Sequence, residues 1–382
     1  MAALVAPVGQ EVLDWLAGVE VTPETELRVG ALLRREYPAE LVTAALGQHE
    51  LRRRAQGKFT RARRMFFTRA GLEQATSEVI ARHRARRFAG AARVADLCCG
   101  IGGDLLALAD RREVLAVDRD PVHLRMARLN ADAYGVAEGV TAVHGDVRDV
   151  GLSGMDAVFI DPARRAGGQR MRAGDCEPPL LWSISLVERV AAVGIKAAPG
   201  IAHEEVPAGW EVEFIADRRE LKEAALWSPV LAAGTSRATI LPEGHVLLPR
   251  PGDQVEHRDP GAFLLDPNPA VTRAGLVEDL ARGLGAWKID PRIAFLSSDE
   301  PLRTPFARTL QVLDSRPWDQ KSLAARLRAL DIGSVDIRRR GLAGDVEDLH
   351  RRLKLRGTQP ATLVMTRVND RPWALICVDP DA

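Results

Sequence analysis

Apolar positions near the start of the chain recur at the spacing of a helix, through Val12, Leu13, Trp15 and Leu16 and again through Leu27, Ala31 and Leu32. With Pro23 and Pro38 as breaks, this predicts a helical domain over residues 1–92. From Arg93 the texture changes to short apolar runs, VADL, EVLAV, GVTAV, DAVFI and LVERVAAVGI, each followed by turn residues. Runs of this kind alternating with helical stretches predict a parallel sheet covered by helices. EVEFIAD (211–217) and SRATIL (236–241) lack an intervening helix, so they are read as two late strands, antiparallel, closing a seven-stranded sheet over residues 93–245. PEGHVLLPRPGDQVEHRDPG reads as a linker. Beyond it LQVLD, SVDIRRRG, ATLVMTRV and PWALICV read as strands and 319–330 and 345–355 as helices, so residues 246–382 form a linker and an α+β domain.

A chain of 382 residues needs more than one core. Hydrophobic residues at 46% and charged residues at 27% exclude a disordered or fibrous class. No apolar run nears the roughly 18 residues of a membrane span, and MAALVAPVGQEVLDWL shows no basic leader with a cleavage site. Cys98, Cys99, Cys176 and Cys377 suit neither a disulfide framework nor a CxxC metal site. These features predict a cytoplasmic protein. The eight His form no HxxH or HExxH pair, so no metal is expected. A net charge of +1 hides an asymmetry: residues 51–90 hold twelve Lys or Arg against two Glu, whereas residues 1–50 hold three Arg against eight acids. In the basic stretch Lys58, Arg61, Arg63 and Arg64 surround Phe67, a mixture that suits phosphates and stacked bases. Met65, Phe66 and Phe67 serve equally as a seam where helices dock on the sheet.

The first strand runs into Asp96-Leu97-Cys98-Cys99-Gly100-Ile101-Gly102-Gly103-Asp104. Glycines after a strand let a backbone turn sharply and approach a ligand. No GK[ST] follows and the full GxGxxG spacing is missing, so a phosphate is disfavoured. Asp96 and Asp104 instead suit a cationic ligand, such as the amino group and sulfonium of S-adenosylmethionine. Asp118 ends the second strand, where doubly wound folds set an acid against ribose hydroxyls. Asp120 and Pro121 then start a helix. Asp146 follows the third strand, and Asp161-Pro162-Ala163-Arg164 the fourth.

DLCCGIGGD, AVDRD, GD and DPAR, in this order and spacing, resemble the first four motifs of class I S-adenosylmethionine-dependent methyltransferases. The resemblance implies a Rossmann-like fold in which Asp96, Gly100 and Gly102 hold the methionine end, Asp118 the ribose and Asp146 the adenine, with Cys98 and Asp161 beside the cofactor. KFTRARRMFFTRAGLEQATSEVIARHRARRF, DPARR, KAAPG and the basic tail resemble a bacterial group of these enzymes with a THUMP-like C-terminal domain. It implies that Thr68, Glu73, Gln74 and Thr76 cover the cofactor. The cap-trimethylating RNA methyltransferases are more distantly similar.

Asp161, Pro162 and Arg164 are the candidate catalytic residues: Asp161 to orient the acceptor or take its proton, Arg164 to grip a phosphate or stack on a base. DPAR also resembles the RNA 5-methyluridine methyltransferases, but those need a cysteine after the next strand, where this chain has Lys196-Ala197-Ala198-Pro199-Gly200. Direct transfer to a nitrogen or oxygen of RNA, with transfer RNA as one candidate, is therefore the expectation. A small-molecule or protein acceptor, and a non-catalytic RNA-binding module, are the rivals.

Overall fold

The structure, a computed structural model, describes residues 2–163, 165–166, 169–170, 176–342 and 345–380. The chain divides into two compact units, Met1–Trp210 with Ala225–Ala232 and Glu211–Ala224 with Ala233–Ala382. This division does not follow the expected boundaries after residues 92 and 245.

The first unit opens with helices α1 (Ala2–Val5), α2 (Pro7–Ala17), α3 (Glu26–Leu33), α4 (Ala39–Ala55), α5 (Arg69–Gln74) and α6 (Glu78–Ala85). α2 starts at proline, whose missing N–H is not needed there, and buries Val12, Leu13 and Leu16. In α3 the stripe is the other one: Leu27 is 84% exposed, and Val29, Gly30 and Leu33 face inward. ELRVGALL is apolar on both faces, so its pattern alone could not choose. These helices share one core with the sheet, in which Phe59, Met65, Phe66 and Phe67 join Ile101, Leu106, Met126 and Ala131.

The sheet begins with β1 (Arg93–Leu97), α7 (Leu105–Leu108), β2 (Glu113–Asp118), α8 (Pro121–Tyr134), β3 (Val140–His144) and β4 (Ala157–Ile160). A small hairpin, β5 (Arg165–Ala166) and β6 (Gln169–Arg170), and α9 (Leu180–Ser185) precede β7 (Ala192–Ala197). β3, β2, β1, β4 and β7 are parallel neighbours in that order. Leu97 pairs with both Val117 and Ile160, and Ile160 with Ile195. The register therefore brings Cys98, Asp118, Asp161 and Lys196 to one edge, the edge where ligands bind in open α/β sheets.

β8 (Glu211–Asp217), β9 (Glu220–Trp227), β10 (Ser236–Leu241) and β11 (His245–Leu247) follow. β8 and β10 are parallel, not antiparallel, because β9 makes the return between them. ELKEAALW has helix-favouring residues, yet Ala224, Ala225, Leu226 and Trp227 are fully buried, and burial overrides propensity. The sheet is thus mixed and nine-stranded, ordered β11-β10-β8-β9-β7-β4-β1-β2-β3.

The second unit continues through β12 (Phe263–Pro267), α10 (Pro269–Arg273), α11 (Val277–Leu284), β13 (Trp287–Lys288) and β14 (Leu296–Ser298). β15 (Ala307–Pro317), α12 (Gln320–Ala329), β16 (Ile332–Arg339), α13 (Val346–Leu353), β17 (Gln359–Val368) and β18 (Arg371–Val378) complete it. Their sheet runs β13-β14-β12-β15-β18-β17-β16. The four strands and two helices expected here are all present, α12 and α13 being capped by Asp319 and Asp345. Ser236 donates to the Ala274 carbonyl at 2.7 Å, so β10 packs with α10 as part of this unit. Among the described residues no helix is long and apolar enough to cross a membrane.

Candidate active site

The loop after β1 turns through left-handed backbone at Cys98 (φ 62°), Gly100 (φ 55°) and Gly102 (φ 92°). At Gly100 no atom lies within 4 Å of where a Cβ would stand, so the backbone is open to a ligand. Gly102 differs: a Cβ there would lie 3.3 Å from the Ala127 Cα, so this glycine lets the loop pack on α8. It is absent from the cavity lining.

A cavity of about 520 Å³ opens at this edge. Asp96, Cys98, Gly100, Asp104, Asp118, Asp146, Asp161, Pro162 and Lys196 line it, and Glu73, Gln74 and Thr76 of the helical head close one side. Asp96 is 1% exposed and its Oδ2 has no hydrogen-bond partner among the described residues. Burial first, and then Asp104, Asp161 and Asp118, push its carboxyl well above the ordinary range. Asp118 accepts from the Gly100 N–H at 2.7 Å and the Asp120 N–H at 2.8 Å, so it ties the glycine loop to the start of α8. Asp120 caps that helix through Val122 and His123. Arg148 grips Asp146 with two nitrogens at 2.9 Å and holds its pKa down at about 2. The same arginine reaches Glu177 at 2.5 Å.

Asp161 Oδ2 lies 2.6 Å from the Lys196 Nζ, which also donates to the Thr76 Oγ at 3.1 Å. Arg84 reaches the same Thr76 oxygen at 2.8 Å and pairs with Asp104. Arg84 is 1% exposed and stacks 4.6 Å from the Phe159 ring centre, so a line of charge runs along the cavity wall from Asp104 to Asp161. Sequence reasoning passed over Arg84 and gave Lys196 no role. For Lys196 a signal existed: KAAPG ends the strand beside β4. Burial and the carboxylates of Asp118, Asp161 and Asp96 push the Cys98 thiol up, so it is no nucleophile near neutral pH. Arg164 lies outside the described residues.

Within the basic stretch the residue expected to stack on a base is not at the surface. Phe67 is 3% exposed and packs 6.0 Å from Phe59, so it cannot stack on a base. Lys58 donates to the Leu72 and Ala75 carbonyls at 2.8 and 3.1 Å, fastening the end of α5. Arg61 donates to the Ala133 carbonyl at 3.0 Å and lies over Tyr134. Arg63 and Arg64 are exposed.

Residues 91–177 match the family model of the RNA cap guanine-N2 methyltransferases, residues 307–378 that of THUMP domain-like proteins, and residues 1–55 a domain of unknown function. Two proteins from Mycobacterium tuberculosis strains CDC 1551 / Oshkosh and ATCC 25618 / H37Rv, both uncharacterized S-adenosylmethionine-dependent methyltransferases, are 39% identical to it over 336 residues, covering 83% of this chain and 90% of theirs. The crystal structure of a protein from Porphyromonas gingivalis W83 superposes with a TM-score of 0.77 at 21% identity, covering 96% of both chains, and so shares the fold. The chain belongs to the S-adenosylmethionine-dependent methyltransferases. Its residues fit that cofactor: a cationic group answers the unmatched Asp96 oxygen, and the open backbone at Gly100 admits a close approach.

Proposed function

We propose that the protein methylates RNA at a nitrogen or oxygen by direct transfer, in the cytoplasm, with transfer RNA as one candidate substrate. Bound S-adenosylmethionine supplies a methyl group already activated on a sulfonium, so alignment carries most of the catalysis. In this reading Asp96 takes the cationic amino group, and Asp118 offers its remaining lone pairs to the ribose hydroxyls. Asp146, already held by Arg148, keeps a lone pair for the adenine amino group. Asp161, 2.6 Å from Lys196, orients the acceptor's N–H or O–H and receives its proton, Lys196 acting as the positioning residue. Pro162, which lines the cavity, borders the acceptor.

The observation that carries the cofactor reading is the buried, unmatched Asp96 oxygen among three further carboxylates. RNA is supported by the two family likenesses, a cap guanine-N2 methyltransferase over the site and a THUMP-like fold in the second unit. Lys196 at the end of β7, where a covalent mechanism would want a cysteine, favours a nitrogen or oxygen acceptor. Mass spectrometry of nucleosides from total RNA, with and without the gene, tests the proposal. Loss of one methylated nucleoside is expected; an unchanged profile moves the acceptor to a small molecule or protein.

A further inference from the structure

The second unit holds a cleft of about 490 Å³ that is separate from the cofactor cavity. β8 runs into it through Asp217 and the turn Arg218-Arg219, β12 through Asp266, and β16 through Arg338, with Arg340 just beyond its end. Its walls are fixed. Asn268, 2% exposed, donates to the Arg218 carbonyl at 2.7 Å, and the Arg218 N–H donates to the Leu241 carbonyl at 2.7 Å. Arg340 donates to Asp266 at 2.8 Å and lies 4.8 Å from the Phe295 ring centre. The same carboxylate has Arg219 at 3.7 Å, so one buried Asp266 faces two guanidiniums.

Asp217 and Glu220 also line the cleft, and Asp336 holds Arg338 at 2.9 Å, but Glu220 is shared with Lys222 at 2.6 Å and the Arg218 side chain has no carboxylate partner among the described residues. Arg219 registers the crowding: burial is the largest cause of its lowered pKa, Asp266 opposes it, and Arg308, Arg338 and Arg340 add to it. Guanidiniums present planar forks that match two oxygens of a phosphate. We propose that this cleft is a phosphate-binding subsite that takes a backbone phosphate of RNA, an inference resting on the RNA reading above.

The test uses the full chain and a labelled single-stranded RNA of about twelve nucleotides, followed by fluorescence anisotropy across a salt series. Calorimetry with inorganic phosphate runs beside it. Arg219 and Arg338 suit substitution because both side chains are 47% exposed. Arg219→Gln with Arg338→Gln should weaken RNA binding roughly tenfold and make the log–log salt slope shallower by about 0.7 to 1.4, one or two contacts' worth on a single strand. S-adenosylmethionine affinity should not change. The Arg219→Lys, Arg338→Lys pair should recover the slope but not the whole affinity. RNA binding at wild-type affinity and slope in the Gln variant overturns the subsite. Phosphate binding that is lost in the Gln variant, in a protein that binds no RNA, supports the cleft's chemistry and overturns the RNA reading alone. A wild-type chain that binds neither overturns both.

Discussion

The acidic strand ends of the first unit and its arginine-rich stretch 52–69 stand out equally along the chain, yet they reach different ends. Asp96, Asp118, Asp146 and Asp161 line one cavity, whereas Lys58 and Arg61 are spent on backbone carbonyls and Phe67 is in the core. The difference lies in what positions each group. Hydrogen-bond register sets where a strand-end residue falls, within about one residue. A long cation or a ring in a helical region goes to whichever carbonyl or apolar gap is near, and only the fold decides that.

The largest effect that sharpens the contrast is on stability. Phe67→Ala should cost about 3 to 5 kcal/mol in denaturant unfolding, as truncation of a buried aromatic does. Arg63→Gln with Arg64→Gln, both exposed, should leave the midpoint nearly unchanged. An exposed-residue result at Phe67 would restore it as an RNA contact. Asp161→Ala should slow methyl transfer by roughly 10² to 10⁴ while S-adenosylmethionine binds almost normally, measured by initial rates and calorimetry once a substrate is in hand. Full activity would reduce Asp161-Pro162 to a turn.

A smaller effect depends on pH. Glu78 accepts from the Thr60 N–H at 2.7 Å and from the Tyr134 hydroxyl at 2.8 Å, tying the head to α8. Burial works to raise its pKa, but these hydrogen bonds, that of the Thr60 hydroxyl and the charge of Arg82 outweigh it and hold the pKa below the usual value. A lowered folded pKa means the stabilisation is present above the unfolded carboxylate value of about 4.3 and is lost as pH falls through the folded one. Glu78→Gln should therefore cost about 1 to 2 kcal/mol near pH 7 and close to nothing well below pH 4. A gap that stays constant with pH would mean the charge is not what matters.

Asp118 ends the apolar run of β2, Asp161 follows that of β4 and Asp96 sits one residue before the end of β1, so each could be placed near a strand end from the sequence. For Gly102 the pattern could not choose, because a glycine in a loop serves a ligand or a neighbouring helix alike until α8 is seen against it. Arg84 reaches Asp104 and Thr76 through space, with no spacing to announce it. β9 was hidden by a helix-favouring composition, and the Leu27 stripe by an octapeptide apolar all round. The arginine cleft joins residues more than a hundred positions apart, from Arg218 to Arg340, which no local pattern connects.

The central claim is that Asp96 receives the cofactor's cationic group. Burial and its neighbouring carboxylates disfavour its charged form and a bound cation favours it, so binding should be linked to proton release. Calorimetric titration of S-adenosylmethionine in two buffers of different ionisation heat measures the release and the affinity together. Proton release in the wild type is expected, with Asp96→Asn losing it and binding more weakly by about 1.5 to 3 kcal/mol. Wild-type affinity in a folded Asp96→Asn protein would contradict the account.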